Sequence, residues 1–168
     1  MKKNRSSMFG FMKGKMEILI PRTGYAFGEI IEGTVTLELK KPQQAKGVSI
    51  TLLEQETTHE RRGNQTVPVT RTINSQTIIL DSEKEYPSGK ALDYPFKFTL
   101  PAYQGPQIDA NSTLGKAVNV IETVGPIINA LGPGYNNRTE WFLKAKLDVS
   151  GFDVNKDVKL QIRLPLGT

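Results

Sequence analysis

Apolar and polar residues alternate with a period of two along most of the chain, which is the pattern of β-strands with one buried and one exposed face. The alternation is clearest in Thr34–Lys40, Tyr94–Pro101, Trp141–Val149 and Val158–Leu164. Weaker strands are predicted at Met16–Pro21, Gly47–Thr58, Val67–Ile73 and Thr77–Leu80. Roughly eight strands joined by short turns predict an all-β fold, in which two antiparallel sheets enclose one core.

Two prolines restrict where one of these strands can lie. Pro95 and Pro101 have no backbone N–H and cannot donate a hydrogen bond to a neighbouring strand. We therefore expect the strand Tyr94–Pro101 to lie at a sheet edge or to leave those positions unpaired.

The period changes in the connection 103–137. Apolar residues recur there at helical spacing, and they form a stripe that consists of Leu114, Val118, Ile121, Ile128 and Leu131. Ser112 or Thr113 can cap a helix at its start, and Gly132-Pro133-Gly134 would end it. The sequence predicts a helical insertion at about 112–131. Its apolar stripe either packs on the sandwich or forms a docking surface.

The positive charge is concentrated at the start of the chain. The net charge is +5, and five of the 22 basic residues precede the first acid, Glu17, so the remaining 17 balance the 17 acidic residues. A neutral body lacks the basic face that a nucleic-acid-binding protein needs, so we expect no nucleic-acid partner. We predict a flexible basic tail at 1–14 and a single sandwich domain at 15–168.

The tail has two interpretations. Its apolar residues are interleaved with basic ones, and the candidate contact residues are Lys2, Lys3, Arg5, Met8, Phe9, Phe11, Met12 and Lys13. They could make a weak contact with an anionic membrane or with a partner. Alternatively, Phe9 and Phe11 fold back onto the sandwich.

Residue patterns that carry catalysis are missing from the sequence. The chain has no cysteine and one histidine, His59, which lies among charged residues near a strand end. No nucleophile elbow or phosphate-binding glycine loop occurs. Asp153–Asp157 resembles the start of a calcium loop, but Val158 and Leu164 occupy positions that need glycine and glutamate, so a hairpin turn is favoured. We expect no enzymatic activity, no cofactor and no metal site.

The sequence also predicts where the protein is located. No apolar run reaches transmembrane length and no secretory signal is recognisable, so we expect a cytoplasmic protein.

Four segments in order resemble the N-terminal domain of arrestins. The first is the strand Gly14–Pro21 followed by Tyr25–Val35, with its Gly-Glu and Gly-x-Val elements. The second is Lys41-Pro42 followed by Ala45–Val48, the third is Leu92–Pro101, and the fourth is Trp141–Asp148. The chain is most similar to short prokaryotic arrestin-like proteins, including the sporulation-control protein M group.

The resemblance implies an immunoglobulin-like sandwich that serves as a protein-interaction adaptor or scaffold without a cofactor. Edge strands would then allow homodimerisation or strand addition by a partner. Two alternatives remain open at this stage. One is a peripheral membrane protein held by the tail and the insertion, and the other is a small-molecule binder with a pocket near Phe142 and Ile128.

Overall fold

The computed structural model describes residues 14–103 and 138–163, and all regular secondary structure in these ranges is β-strand. The strands, numbered in chain order, are β1 (Gly14–Leu19), β2 (Gly24–Ala26), β3 (Ile30–Leu39), β4 (Gln43–Arg62), β5 (Gln65–Asp81), β6 (Lys84–Tyr86), β7 (Ala91–Thr99), β8 (Arg138–Val149) and β9 (Phe152–Arg163). One sheet has the order β1-β3-β7. The other has the order β2-β9-β8-β4-β5, and β6 pairs with β4. The predicted two-sheet sandwich is confirmed.

The alternating residues decide which face of each strand is buried. In β8 every second residue from Trp141 to Val149 is buried, whereas the residues between them are partly exposed. The same alternation buries Val35, Leu37 and Leu39 of β3 in the opposite sheet. The two apolar faces meet in one core, where each fully buried aliphatic side chain contributes about 1.5–3 kcal/mol of transfer free energy.

The prediction for the proline-containing strand is confirmed. Within the described residues, β7 lies at an edge of the three-stranded sheet and pairs only with β3. Pro95 lies opposite Thr34 in this antiparallel ladder. An edge strand tolerates a proline where the missing N–H would face solvent and not a neighbouring strand. Pro101 follows the end of the strand at Thr99.

The two weak strands predicted at Val67–Ile73 and Thr77–Leu80 are one continuous strand, β5. The polar residues 74–76 between them resemble a turn in composition. They nevertheless pair in register with residues 52–54 of β4. Polar side chains are tolerated there because this part of β5 is half-exposed, so pairing with β4 determines the conformation.

The predicted hairpin turn at Asp153–Asp157 is wrong by a few residues. These residues belong to β9, and the turn consists of Ser150 and Gly151. Gly151 adopts a φ of 87°, a conformation that glycine reaches without steric cost. Asp153 and Asp157 instead form cross-strand ion pairs with lysines of β8.

A polar cluster joins the edges of the two sheets. Asp81, at the end of β5, accepts a hydrogen bond from the hydroxyl of Tyr94 on β7 at 2.9 Å. The Lys84 ammonium lies 2.6 Å from the same carboxylate oxygen. The hydroxyl of Tyr86, a fully buried residue, donates to the Ser82 carbonyl at 2.7 Å. The edges of β5 and β7 therefore lie on the same side of the sandwich.

Several predictions fall on residues outside the described ranges. These are the helical insertion at 112–131, the rest of its connection after Tyr103, and the basic tail except for Gly14, which begins β1. Among the described residues, no helix is long and apolar enough to cross a membrane.

Candidate interaction surface: the open edge of β5

The hairpin of β4 and β5 is longer than the core beneath it. Its ladder runs from the pair Val48 and Asp81 to the pair Arg62 and Gln65, next to the turn at Gly63. The last fully buried residue of β4 is Leu52, and no residue of β5 is fully buried. Pairing of β4 with β8 ends at Thr57, so the tip of the hairpin beyond this residue is held by the ladder of β4 with β5.

The outer side of β5 has no neighbouring strand in the part of the chain that the structure describes. One side of β5 pairs with β4 along nearly its whole length. The other side presents backbone N–H and C=O groups that no described strand covers. Such a row of groups can accept an additional strand.

The other described edges carry features that block such pairing. β1 contains Lys15 and Glu17, and β7 contains Asp93, Pro95 and Lys97. β2 and β6 are only three residues long, and the part of β9 that β2 leaves uncovered carries charged residues at positions 153, 156, 157 and 159. Charges, prolines and short length are the usual protections of an edge against strand addition.

The segment Thr72–Leu80 of β5 lacks these protections. Its nine residues include no charged residue, no proline and no glycine. Two of its side chains are large, apolar and exposed, because Ile73 is 55% and Ile79 is 71% exposed. We refer to Thr72–Leu80 as the open edge.

Two irregularities in the pairing with β4 bound the regular part of the open edge. The register shifts between Glu54 and Gln55, which leaves Ile73 as an extra residue on β5. It shifts again between Val48 and Ser49, which leaves Leu80 as an extra residue. Bulges of this kind increase the local twist of the strand. Residues 74–79 between them pair one-to-one with residues 49–54 of β4.

Charges of opposite sign flank the open edge. Arg71 precedes it, and its Nη2 lies 2.6 Å from Oε1 of Glu60 on β4. Asp81 follows it. Burial opposes ionisation of Asp81, but hydrogen bonds from Lys84 and Tyr94 outweigh burial and hold the pKa of its carboxyl below the usual value. Asp81 is therefore an anion at neutral pH, and both Asp81 and Arg71 are already paired with a charge of opposite sign in the same chain.

The outward face of the larger sheet has a different character. Lys144 lies 3.7 Å from Asp157, and Lys146 lies 3.1 Å from Asp153, so ion pairs cover the β8–β9 hairpin. Phe142 lies beside Leu53 on the neighbouring strand, and both are partly exposed. Ile128, the other residue of the pocket in the alternative small-molecule hypothesis, lies outside the described residues.

The remaining sequence candidates form no site within the described ranges. His59 is exposed on β4, opposite Pro68. No cluster of three or more potential metal ligands occurs among the described residues. The candidate tail residues 2–13 and the apolar stripe 114–131 lie outside them.

An open groove of about 620 Å³ lies beside the three-stranded sheet, and Pro21, Gly33 and Phe96 contribute to its walls. The ion pair between Lys97 and Glu32 borders it. The polar and charged side chains that line the groove, Glu32, Thr34 and Lys97, are all partly or largely exposed. The groove therefore lacks the buried polar groups that orient a small ligand in a typical binding pocket.

The family model for the C-terminal domain of arrestin (or S-antigen) matches residues 13–168. This chain belongs to the arrestin family. The four sequence segments resemble the N-terminal domain of arrestins, whereas the matching family model describes the C-terminal domain. A comparison with curated protein sequences gave no match.

A solved structure with a similar fold is that of Spo0M, the sporulation control protein from Bacillus subtilis. The two share 16% sequence identity with a TM-score of 0.58, and the match covers 90% of this chain and 49% of Spo0M. This arrestin-family chain thus spans about half the length of Spo0M. At this identity the likeness concerns the fold, and it agrees with the predicted arrestin-like sandwich.

Proposed function

We propose that this arrestin-family protein is a non-enzymatic adaptor that binds a partner chain by strand addition at the open edge, Thr72–Leu80. The family supports a protein-interaction role in general, and arrestin-like proteins are not known enzymes. The observation that carries the proposal is an edge of nine residues without charge, proline or glycine and with two exposed isoleucines.

Strand addition uses two kinds of contact. The backbone groups of the open edge supply hydrogen bonds to any extended chain, and alternate side chains supply selectivity. Ile73 and Ile79 are the apolar anchors, and Thr72, Ser75 and Thr77 present small polar side chains between and beside them. A binding strand rich in β-branched residues fits this surface best.

The test compares the proteins captured by three baits in an extract of the organism that encodes this chain. The baits are the full-length protein, the variant Ile79→Lys and the control variant Leu19→Lys. Leu19 is 56% exposed on β1, so the control adds the same charge at a similar apolar position on a different edge. We expect Ile79→Lys to lose bound partners that Leu19→Lys retains. Equal sets of partners for all three baits would contradict the proposal.

A further inference from the structure

We infer that the strand added at the open edge is the same segment of a second copy of this chain, paired antiparallel about a two-fold axis at Gln76. The inference rests on the proposed function, because it names the partner of the same edge. It comes from the order of residues along β5, which is self-complementary in one register.

The two exposed isoleucines are placed symmetrically about Gln76. In an antiparallel pair with a two-fold axis at that residue, Ile73 of each copy lies opposite Ile79 of the other. The most exposed apolar side chains of the strand then cover each other at two places. Pairs of β-branched residues at directly opposed positions are favourable cross-strand contacts.

The flanking charges are symmetric about the same residue. The axis at Gln76 also places Arg71 of each copy opposite Asp81 of the other. No other axis within β5 matches both the two isoleucines and the two charges. An axis at Asn74, for instance, places Ile73 opposite Ser75 and Arg71 opposite Thr77.

The isoleucine pairs and the charge pairs have separate roles. Asp81 is already bound by Lys84, and Arg71 by Glu60. The new charge pairs therefore add little attraction. They do select this register, because like charges at directly opposed positions would be repulsive. Closed two-fold pairing also occupies the edge of both copies, so the assembly stops at a dimer.

The register predicts a specific pattern of disulfide formation. The chain has no cysteine, so single cysteines can be introduced without background. Directly opposed residues of an antiparallel pair have Cα atoms about 4.5–5.5 Å apart, which a disulfide can span. In the full-length chain, Gln76→Cys should cross-link to itself under mild oxidation. Ile73→Cys and Ile79→Cys should each form no disulfide-linked dimer alone and should cross-link when mixed.

The control for cross-linking is Leu19→Cys, which carries an exposed thiol on β1.

The second measurement is sedimentation of wild type, Ile79→Lys and Leu19→Lys at a concentration on the order of 100 μM, where even a micromolar dissociation constant gives mostly dimer. We expect dimers for wild type and Leu19→Lys and at least a tenfold weaker association for Ile79→Lys.

Three results would overturn the inference. They are a wild-type monomer, cross-linking of Leu19→Cys as fast as that of Gln76→Cys, and self-cross-linking of Ile73→Cys, which would mean another register. A monomer whose partner capture still depends on Ile79 would refute self-pairing and leave the adaptor proposal standing. A monomer whose captured partners do not change with Ile79→Lys would refute both.

Discussion

The hydrogen bond between Tyr94 and Asp81 links the edges of the two sheets, and its removal is expected to lower the free energy of unfolding. Tyr94→Phe deletes a donor 2.9 Å from an Asp81 carboxylate oxygen. A hydrogen bond to a charged group contributes about 1.5–3 kcal/mol. Asp81 retains its bonds from Lys84 and the Ser82 N–H, so it is not left unsatisfied. We expect a loss of about 1.5–2 kcal/mol, at the lower end of that range.

A double-mutant cycle separates this bond from other effects of each substitution. Urea unfolding of wild type, Tyr94→Phe, Asp81→Asn and the double variant gives four free energies at pH 7. We expect a coupling of about 1 kcal/mol between the two sites, with unchanged dependence on denaturant. If the two losses instead add to within about 0.3 kcal/mol, the bond does not stabilise the sandwich.

The same carboxyl predicts a pH dependence in the acid range. Because the folded pKa of Asp81 is lowered, the native state holds fewer protons than the unfolded state there, and stability rises with pH. The contribution of the ionised Asp81 carboxylate to stability is present above the unfolded pKa of about 3.9. It is lost as the pH falls through the lower pKa that Asp81 has in the folded state. Asp81→Asn should therefore flatten the fall in stability below about pH 4. An unchanged slope would show that Asp81 is not the group responsible.

Three further predictions test the core, a close backbone approach and a buried phenol. Leu143→Ala, at a position with no exposed surface, should cost about 2–5 kcal/mol in urea unfolding, and a loss below 1 kcal/mol would mean that the core is loosely packed. Gly33→Ala should lower the thermal midpoint far more than the control Ser88→Ala, which lies on a partly exposed loop. The reason is that a Cβ at position 33 would lie 2.5 Å from the Leu19 carbonyl oxygen and 2.7 Å from the Phe96 ring. Burial, together with the negative charge of Asp81, raises the pKa of Tyr86 to about 12. The free energy of unfolding should consequently fall between about pH 10 and 12, because the phenol ionises there in the unfolded state. Urea unfolding of wild type and Tyr86→Phe across that range should show that the variant lacks this part of the alkaline loss.

Much of the sandwich could be predicted from the sequence because its strands have one exposed and one buried face, so polar and apolar residues alternate along them. The alternation in Trp141–Val149 matches the burial of β8 residue by residue. The short strands β2 and β6, of three residues each, were not predicted, since neither is long enough to show a period. They are strands because β9 and β4 offer them partners, and this is a property of the assembled fold.

The interaction surface was predicted only in part. An open edge follows from any antiparallel sandwich, but which edge is open depends on strand order, and β5 was divided in two by its polar centre at residues 74–76. A signal was nevertheless present in the sequence. Thr72–Leu80 is a run of nine residues without charge, proline or glycine, next to strands that contain such residues. Together with strand order, this local composition would have singled out β5.

The open edge also has a conformational reason to bind well. A free strand must lose backbone entropy when it pairs, and this cost reduces affinity. β5 is already ordered by its ladder with β4, and the Asp81 cluster fixes its end against β7. If a second copy supplies the partner strand, that strand is pre-ordered in the same way, so neither side loses much entropy. Self-pairing should therefore outcompete a disordered peptide of equal sequence, and a synthetic peptide of residues 71–81 should bind the monomeric protein more weakly than the second copy does.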